Sequence, residues 1–148
     1  MLVSDYMTSE LTCVEETDCL LDATMIFLRS TLRHLPVLRG KHLVGVITER
    51  DVKQYAPSVL SGITSDEYNR VLETTPISRL MTRDPVTVAP GQRVIEAARL
   101  LTSKRIGCLP VVEDGELRGI ITTTDMLKLL MKMLELDEAT SYGAAASP

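Results

Sequence analysis

Aromatic side chains are scarce in this chain. Its 148 residues include no tryptophan, one phenylalanine and four tyrosines. The core must therefore be built mainly from aliphatic side chains. Because only the tyrosines remain for the purpose, a site that recognises a nucleic-acid base by aromatic stacking is nearly excluded.

Long apolar runs and a secretory leader are also missing. No stretch approaches the roughly 18 apolar residues of a membrane span. The first ten residues, MLVSDYMTSE, lack the basic start and apolar core of a signal peptide. We therefore expect a cytoplasmic protein with no membrane partner. The net charge of −4 argues against a nucleic-acid partner, since such surfaces need clustered positive charge.

Cysteines and catalytic groupings are few. Cys13, Cys19 and Cys108 are an odd number without metal-type spacing, which predicts reduced, mostly buried thiols and no metal site. The chain has two histidines, and no serine or cysteine stands in a nucleophile elbow. No carboxylate pair stands out either, so we do not predict an enzyme.

What the chain does have is an internal repeat. The segment LVGVITERD at 43–51 returns as LRGIITTTD at 117–125, a shift of 74 positions (117 − 43 = 74). The same shift places the Leu-Pro-Val of 35–37 on that of 109–111 and the Met-Thr of 7–8 on that of 81–82. Because this register holds over about fifty positions without a gap, we infer a duplicated unit.

Each copy has the pattern strand, helix, strand, strand, helix. The hairpin strands are predicted at 34–38 and 43–48, and again at 109–112 and 117–122. Leu21, Met25 and Leu28 are predicted to form the apolar face of the first helix. The final helix is predicted from about Thr123 to about Glu135.

These elements predict an α/β (α+β) fold. One unit of about 55 residues buries little surface alone, so two must pack together across a pseudo-two-fold axis. The predicted divisions are a first unit at 1–55, a connector at 56–76, a second unit at 77–136 and a disordered tail at 137–148.

A Thr-x-x-Asp pattern closes each repeated segment, with Thr48 and Asp51 in the first copy and Thr122 and Asp125 in the second. The start of a helix offers unpaired backbone N–H groups and favours an anion. The threonine would donate to a phosphate there, and the aspartate would accept from the vicinal hydroxyls of a ribose. The spacing is also close to a capping box, in which the acidic residue bonds back to the helix start. Both interpretations stay open, and the two roles can coexist.

The doubled unit, with its Met-Thr openings, Leu-Pro-Val strands and G-[VI]-I-T-x-x-D corners, resembles a pair of cystathionine-β-synthase (CBS) domains, also called a Bateman module. The likeness covers residues 3 to about 135. The Arg-Asp at 50–51 and the Tyr-Ala-Pro-Ser at 55–58 are also similar to the CBS half of acetoin-utilisation B-type proteins.

This resemblance implies a stand-alone regulatory module. Such pairs bind adenosine-containing ligands, among them AMP, ADP and ATP, in two clefts between the units, and they need no obligatory cofactor. The resemblance further implies a homodimer and a separately encoded partner protein that the module regulates. The alternative is a non-catalytic dimeric interaction scaffold with vestigial ligand sites.

The resemblance also implies that each cleft mixes residues of both units. The opening segment of one unit joins the cleft whose aspartate comes from the other. The implied opening-segment residues are Thr82, Pro85 and Thr87 in the first cleft, and Thr8, Leu11 and Cys13 in the second.

The two clefts should differ in charge. Arg33 and His34 stand where family members often place residues that reach phosphate, but the matching positions of the second unit are Gly107 and Cys108. Lys104 and Arg105 lie close to Gly107 and Cys108 and could substitute for the missing basic residues in the second cleft. Arg50 of the first corner is matched by Thr124, which would add a hydroxyl to the second site. On charge alone the first cleft is the better equipped for a polyphosphate.

Overall fold

The structure is a computed structural model that describes residues 1–57 and 61–144, with 141–144 described by their backbone. Two tandem strand-helix-strand-strand-helix units are present, which confirms the predicted fold class. The strands are β1 (Val14–Glu15), β2 (His34–Arg39), β3 (His42–Thr48), β4 (Thr82–Arg83), β5 (Cys108–Glu113) and β6 (Glu116–Thr122). The helices are α1 (Leu20–Arg29), α2 (Glu49–Tyr55), α3 (Ser65–Thr74), α4 (Val94–Lys104) and α5 (Thr123–Ala144), with 3-10 turns at Val3–Asp5 and Ile77–Arg79.

The two hairpins have the same register. Leu35 lies opposite Ile47 in the antiparallel pair β2–β3, and Leu109 lies opposite Ile121 in β5–β6, 74 positions later. The hairpins meet edge to edge where His42 pairs with Glu116. The sheet order is β1-β2-β3-β6-β5, with β4 also paired to β3. Pseudo-two-fold symmetry therefore reaches the level of single residue pairs.

The first helix of each unit buries one face against the sheet. The buried residues are Leu20, Ala23 and Phe27 in α1, and Val94, Ala97 and Leu101 in α4. Each member of the first set lies 74 positions before one of the second. The predicted face of α1 was partly wrong, since Leu28 is 75% exposed. Helix α1 is apolar on nearly every side, so periodicity alone did not select the buried face.

The opening segments are exchanged between the units. Ile77 and Met81, which lie in the opening segment of the second unit, are buried in the core of the first. Val3 and Met7 pack in the core of the second unit in the same way. Thr82 pairs with Val46 of β3, and Thr8 with Ile120 of β6. Each unit therefore completes the other.

Helix α3 lies in the predicted connector, for which the sequence interpretation placed no element. Thr64 and Glu67 form a capping box, with the Thr64 N–H donating to the Glu67 carboxylate at 2.8 Å. Leu72 is buried against the core of the first unit. The Thr-x-x-Glu spacing before Tyr68 and Leu72 was the signal that could have predicted this helix. Residues 58–60 of the connector lie outside the described residues.

Helix α5 continues nine residues beyond its predicted end at Glu135, to Ala144. The segment for which disorder was predicted, 137–148, is described as helix as far as Ala144, and 145–148 lie outside the described residues. Alanine is the strongest helix former, and no proline interrupts the segment before Pro148, so the helix can propagate. Within the described residues, no helix is both long enough and apolar enough to cross a bilayer.

The exchange of opening segments depends on Gly45 and Gly119. A Cβ atom on Gly45 would lie 2.7 Å from the Met81 Sδ and 2.8 Å from the Thr82 carbonyl oxygen. On Gly119 it would lie 2.7 Å from the Met7 Sδ and 2.9 Å from the Thr8 carbonyl oxygen. Neither position therefore has room for a side chain.

We expect Gly45→Ala to lower the free energy of unfolding by about 2–3 kcal/mol, because the added methyl group meets a backbone oxygen. Gly91→Ala is the matched control, since a Cβ there has no atom within 4 Å. It should change stability by less than about 0.5 kcal/mol. Urea denaturation of both variants measures the difference, and equal effects would contradict the exchanged packing.

Candidate functional site

A cavity of about 610 Å³ lies between the two units and is called the interunit cavity below. Its wall is formed by the start of β2, the end of β3 and the start of α2 from the first unit. The stretch after β4 and the turn between α4 and β5 complete it. Val46, Val86 and Ile106 give it apolar walls. The lining residues are Arg33, His34, Val46, Thr48, Glu49, Arg50, Thr82, Asp84, Pro85, Val86, Arg105, Ile106, Gly107 and Cys108.

The Thr48–Asp51 corner forms a capping box. The Thr48 N–H donates to Asp51 Oδ2 at 2.8 Å, and the Asp51 N–H donates to Thr48 Oγ1 at 3.1 Å. The capping interpretation of Thr-x-x-Asp is therefore confirmed. Among the described residues, no acceptor takes the Thr48 hydroxyl proton and no donor reaches Asp51 Oδ1. Those two groups leave room for the second role.

The backbone at the start of α2 has fewer free N–H groups for an anion than the sequence suggested. The Glu49 N–H donates to the Arg33 carbonyl oxygen at 3.1 Å. The Asp51 N–H is taken by Thr48. An anion in the interunit cavity would consequently depend on side chains more than on the helix start.

The second corner repeats the capping box with one difference. The Thr122 N–H and the Asp125 N–H are bonded as in the first corner. The Thr122 hydroxyl, however, donates to Asp125 Oδ2 at 2.7 Å. The Thr123 N–H also donates to the Gly107 carbonyl oxygen at 3.0 Å. This corner therefore has fewer polar groups to offer than the first.

The polar part of the interunit cavity carries charges of both signs. Arg33, Arg50 and Arg105 supply three guanidinium groups, and Glu49 and Asp84 supply two carboxylates. The Arg33 Nε lies 3.1 Å from Glu49 Oε2, and the Lys53 Nζ lies 2.8 Å from Glu49 Oε1. Donation from Lys53 chiefly, and the charge of Arg33, hold the pKa of Glu49 below its usual value.

Two residues that line the cavity have left-handed backbones. Asp84 has φ 45° and Arg105 has φ 54°. Arg105 ends α4 at the position where glycine is usual, since a side chain there is strained. A large basic residue is thus kept at a strained position that faces the cavity.

His34 joins the units at the cavity wall. A Cβ on Gly107 would lie 2.5 Å from His34 Nε2, so the imidazole packs directly against the backbone of the second unit. Burial lowers the pKa of His34, and the charge of Asp51 opposes that shift. The side chain is therefore neutral at pH 7, where it can donate one hydrogen bond and accept another.

Cys108 occupies the position in the second unit that matches His34. It is buried against Val46 and Ile120, and burial raises the pKa of its thiol to about 12. Burial, and then the charge of Glu15, also raise the pKa of Cys13. Neither thiol forms a nucleophilic thiolate at neutral pH.

The interunit cavity gathers most of the residues predicted for the first cleft: Arg33, His34, Thr48, Arg50, Thr82 and Pro85. Arg105 was predicted as a substitute in the second cleft, but it lines this cavity instead, because the turn between α4 and β5 forms part of its wall. Asp51, which is hydrogen-bonded to Thr48, does not line the cavity, and Thr87 does not line it either. Of the second predicted set, Leu11 and Cys13 line a different cavity of about 440 Å³, which includes Lys41 and Glu116. Thr8, Thr122, Thr124 and Asp125 line neither of these two cavities.

Glu49 and Asp84 were missed by the sequence interpretation. Acidic residues do not fit a search for groups that hold an anion. A signal was present for Asp84, since it follows the Thr-Arg of the exchanged opening segment by one position and precedes the predicted Pro85.

Comparison with known proteins agrees with this architecture. The CBS domain family model matches residues 3–58 and 77–132. A CBS domain-containing protein of Dictyostelium discoideum is 33% identical over 138 residues, which cover 91% of this chain and 94% of the relative. The chain spans about half the length of some other curated relatives.

Solved structures show the same fold. A crystal structure of an acetoin utilization protein (AcuB) from Vibrio cholerae has a TM-score of 0.76 at 31% identity, covering 94% of this chain and 96% of that one. The crystal structure of CBSX2 in complex with AMP has a TM-score of 0.72 at 26% identity, covering 88% and 97%.

The lowered pKa of His34 predicts a pH-dependent stability. Below the ordinary histidine pKa of about 6.5 the unfolded chain takes up a proton that the folded chain does not, so the free energy of unfolding falls as the pH is lowered. We expect His34→Gln to reduce that fall between pH 7.5 and pH 5.5, measured by urea denaturation. His42→Gln controls for the loss of an imidazole elsewhere. An unchanged fall in His34→Gln would contradict the burial of this side chain.

Proposed function

The chain belongs to the CBS domain family, and we propose that it is a regulatory CBS pair whose interunit cavity binds an adenosine-containing ligand such as AMP, ADP or ATP. The observation that carries the proposal is the convergence of Arg33, Arg50 and Arg105 on one cavity that also has apolar walls. Two of these guanidiniums come from the first unit and one from the second.

The groups in the cavity match the parts of a nucleotide. Val46, Val86 and Ile106 form a slot suited to a purine, which has to be held without aromatic stacking. The Thr48 hydroxyl, which lines the cavity, suits a ribose hydroxyl or an adjacent phosphate oxygen, and Asp51, which is hydrogen-bonded to Thr48, keeps Oδ1 as an acceptor for a ribose hydroxyl. The guanidiniums suit phosphates, which they bind in a bidentate manner. The AMP complex of CBSX2, a protein of the same fold, supports the ligand class.

Phosphate binding would rearrange an existing ion pair. Arg33 is committed to Glu49, which Lys53 also holds. If a phosphate binds Arg33, Glu49 keeps its ion pair with Lys53, so the Glu49 carboxylate is not left without a partner. This exchange makes the cost of releasing Arg33 modest.

The proposal assigns one ligand to each chain. The second corner has its threonine hydroxyl bonded to Asp125, and it has Gly107 and Cys108 where the first has Arg33 and His34. Thr124 replaces Arg50 there. These differences favour the first corner for any anionic ligand.

Regulation would follow from the position of the cavity. A ligand held by residues of both units binds best at one relative orientation of the units, and it shifts the population by its differential affinity. We propose that the module works as a homodimer in the cytoplasm and passes this shift to a separately encoded partner protein.

A second candidate is an interaction scaffold that does not use its cavity. Exposed apolar residues along α5 favour it, among them Leu127, Met131 and Leu136. A dimer that shows no thermal shift with AMP, ADP, ATP or S-adenosylmethionine would support this alternative. A selective shift would support the regulatory module.

The paired variants Asp51→Asn and Asp125→Asn test the site. Both remove one charge from equivalent capping boxes, so their effects on folding should be similar. Ligand at about 100 times its dissociation constant should stabilise the wild type by about 2.7 kcal/mol. We expect Asp51→Asn to weaken binding about tenfold or more, and Asp125→Asn to leave it nearly unchanged, measured by calorimetry. Equal affinity in both variants would exclude the assigned corner.

Arg105→Gly should separate stability from binding. Glycine relieves the left-handed strain and should raise the free energy of unfolding by up to about 1 kcal/mol, while the loss of a guanidinium weakens binding of ADP and ATP. Asp114→Gly is the matched control, because Asp114 has φ 51° in the second hairpin turn and lies outside the cavity lining. It should keep full affinity. Undiminished nucleotide affinity in Arg105→Gly would remove this residue from the site.

A further inference from the structure

Glu49 places a carboxylate among the cations of the interunit cavity. It is the first residue of α2 and lines the cavity beside Thr48. Both of its carboxylate oxygens are paired, Oε2 with the Arg33 Nε at 3.1 Å and Oε1 with the Lys53 Nζ at 2.8 Å. The Glu49 side chain is 22% exposed, against 60% for Arg33 and 71% for Lys53. The carboxylate is therefore the least exposed member of this cluster of three charges.

The fold does not require a carboxylate at this position. The matched residue of the second unit is Thr123 (49 + 74 = 123), and α5 begins there with an equivalent capping box. A pair that only stabilised α2 would need no more than Lys53, four residues along the helix. The contact with Arg33 is different, because Arg33 precedes β2 and is brought to α2 only by the fold. That contact places the Glu49 charge at the cavity wall.

The charges that line the interunit cavity nearly cancel. Its three guanidiniums and two carboxylates leave a net charge of +1 (3 − 2 = 1). His34 adds no charge at pH 7, since burial lowers its pKa. A single terminal phosphate carries about 1.5 to 2 negative charges at pH 7, and each further phosphate adds more. The lining therefore comes close to balancing one phosphate and falls well short of balancing three.

Two of the three guanidiniums are available without any rearrangement. Arg50 and Arg105 are exposed, and neither forms an ion pair within residues 1–57 and 61–144. Arg33, by contrast, is already paired with Glu49. One phosphate can thus be bound by two unpaired guanidiniums while the pair between Arg33 and Glu49 stays intact.

We propose that Glu49 makes the interunit cavity selective for nucleosides with a single phosphate, of the AMP class, over those with two or three. A longer phosphate chain has to recruit Arg33 as well, and its anionic oxygens then lie close to the Glu49 carboxylate. Lys53 keeps Glu49 paired, so the release of Arg33 costs little, but the negative charge of Glu49 remains at the wall and repels the added phosphates. Asp84, the second carboxylate of the lining, acts in the same direction.

This inference rests on the proposed function, because it concerns the ligand of the same cavity. It differs from the expectation drawn from the sequence, in which the cations of the first cleft favoured a polyphosphate. Glu49 and Asp84 were not counted there, and they remove two of the three positive charges that the arginines supply. The number of phosphates is therefore set by the acidic residues of the wall as much as by the basic ones.

Glu49→Gln tests the selection, with AMP and ATP titrated calorimetrically into the full chain at about 0.1 M salt without divalent cations. Glutamine keeps the shape of glutamate and removes its charge. We expect the wild type to bind AMP more tightly than ATP. The variant should bind ATP about fivefold or more tighter than the wild type, with AMP affinity changed by less than about twofold. Glu113→Gln is the matched control, because Glu113 pairs with Arg118 outside the cavity lining, and it should alter neither affinity.

The ratio of the two affinities is a measurement that a merely structural role of Glu49 would not change, since a damaged cavity weakens both nucleotides together. The thermal transition of each variant checks that it is folded. A wild type that prefers ATP, or a Glu49→Gln variant that changes both affinities by the same factor, would overturn the selection and leave the proposed function intact. A wild type that binds neither nucleotide would overturn the proposed function and this inference with it.

Magnesium separates charge selection from metal binding by Glu49. If the carboxylate held the metal of a magnesium–ATP complex, Glu49→Gln would bind ATP more weakly than the wild type once magnesium chloride is added, and the proposal would be overturned. Under the proposal the variant stays the tighter binder of ATP, because magnesium neutralises only part of the charge of the phosphates.

Discussion

The exchanged opening segments are the constraint on which the rest of the molecule depends. Gly45 and Gly119 admit the backbone of Thr82 and Thr8 so closely that any side chain is excluded. Met81 is thereby buried, and Met7 partly buried, in the opposite unit, so the units cannot separate without opening both cores. From this contact with Gly45 the chain continues past Thr82 along the wall of the interunit cavity. Ligand-driven changes in unit orientation would have to be small, because close-packed cores resist deformation.

The repeat was the strongest predictor of structure, and elements outside the repeat were predicted least well. Both hairpins and their registers follow from the shift of 74, and the shift would also have corrected the face of α1, since Val94 and Leu101 fall on Leu20 and Phe27. Helix α3 has no counterpart in the other copy, so the comparison between copies gave no information there. The end of α5 resembles a disordered tail in composition, and its helical state depends on continuity with a stable helix.

Residues of the candidate site could be predicted where their side chains suit an anionic ligand. Acidic residues, which repel such a ligand, were not predicted. Arginines and threonines were predicted for the cavity, whereas Glu49 was not, although it neutralises Arg33. The hydroxyl orientation that distinguishes Thr48 from Thr122 also has no sequence signal. Few substitutions therefore separate the two corners: Arg33, His34 and Arg50 of the first are matched by Gly107, Cys108 and Thr124 in the second, so both arginines and the histidine are missing there.

A single position also explains why the two units end differently. Helix α2 stops before Pro57, whose ring prevents helix continuation, and the chain returns as α3 to cover the first unit. The matched position in the second unit is Met131 (57 + 74 = 131), so α5 continues and nothing equivalent to α3 follows in the described residues. Helix α3 covers the first unit, whereas α5 of the second unit keeps an exposed apolar surface. The internal symmetry of the chain is broken at this point.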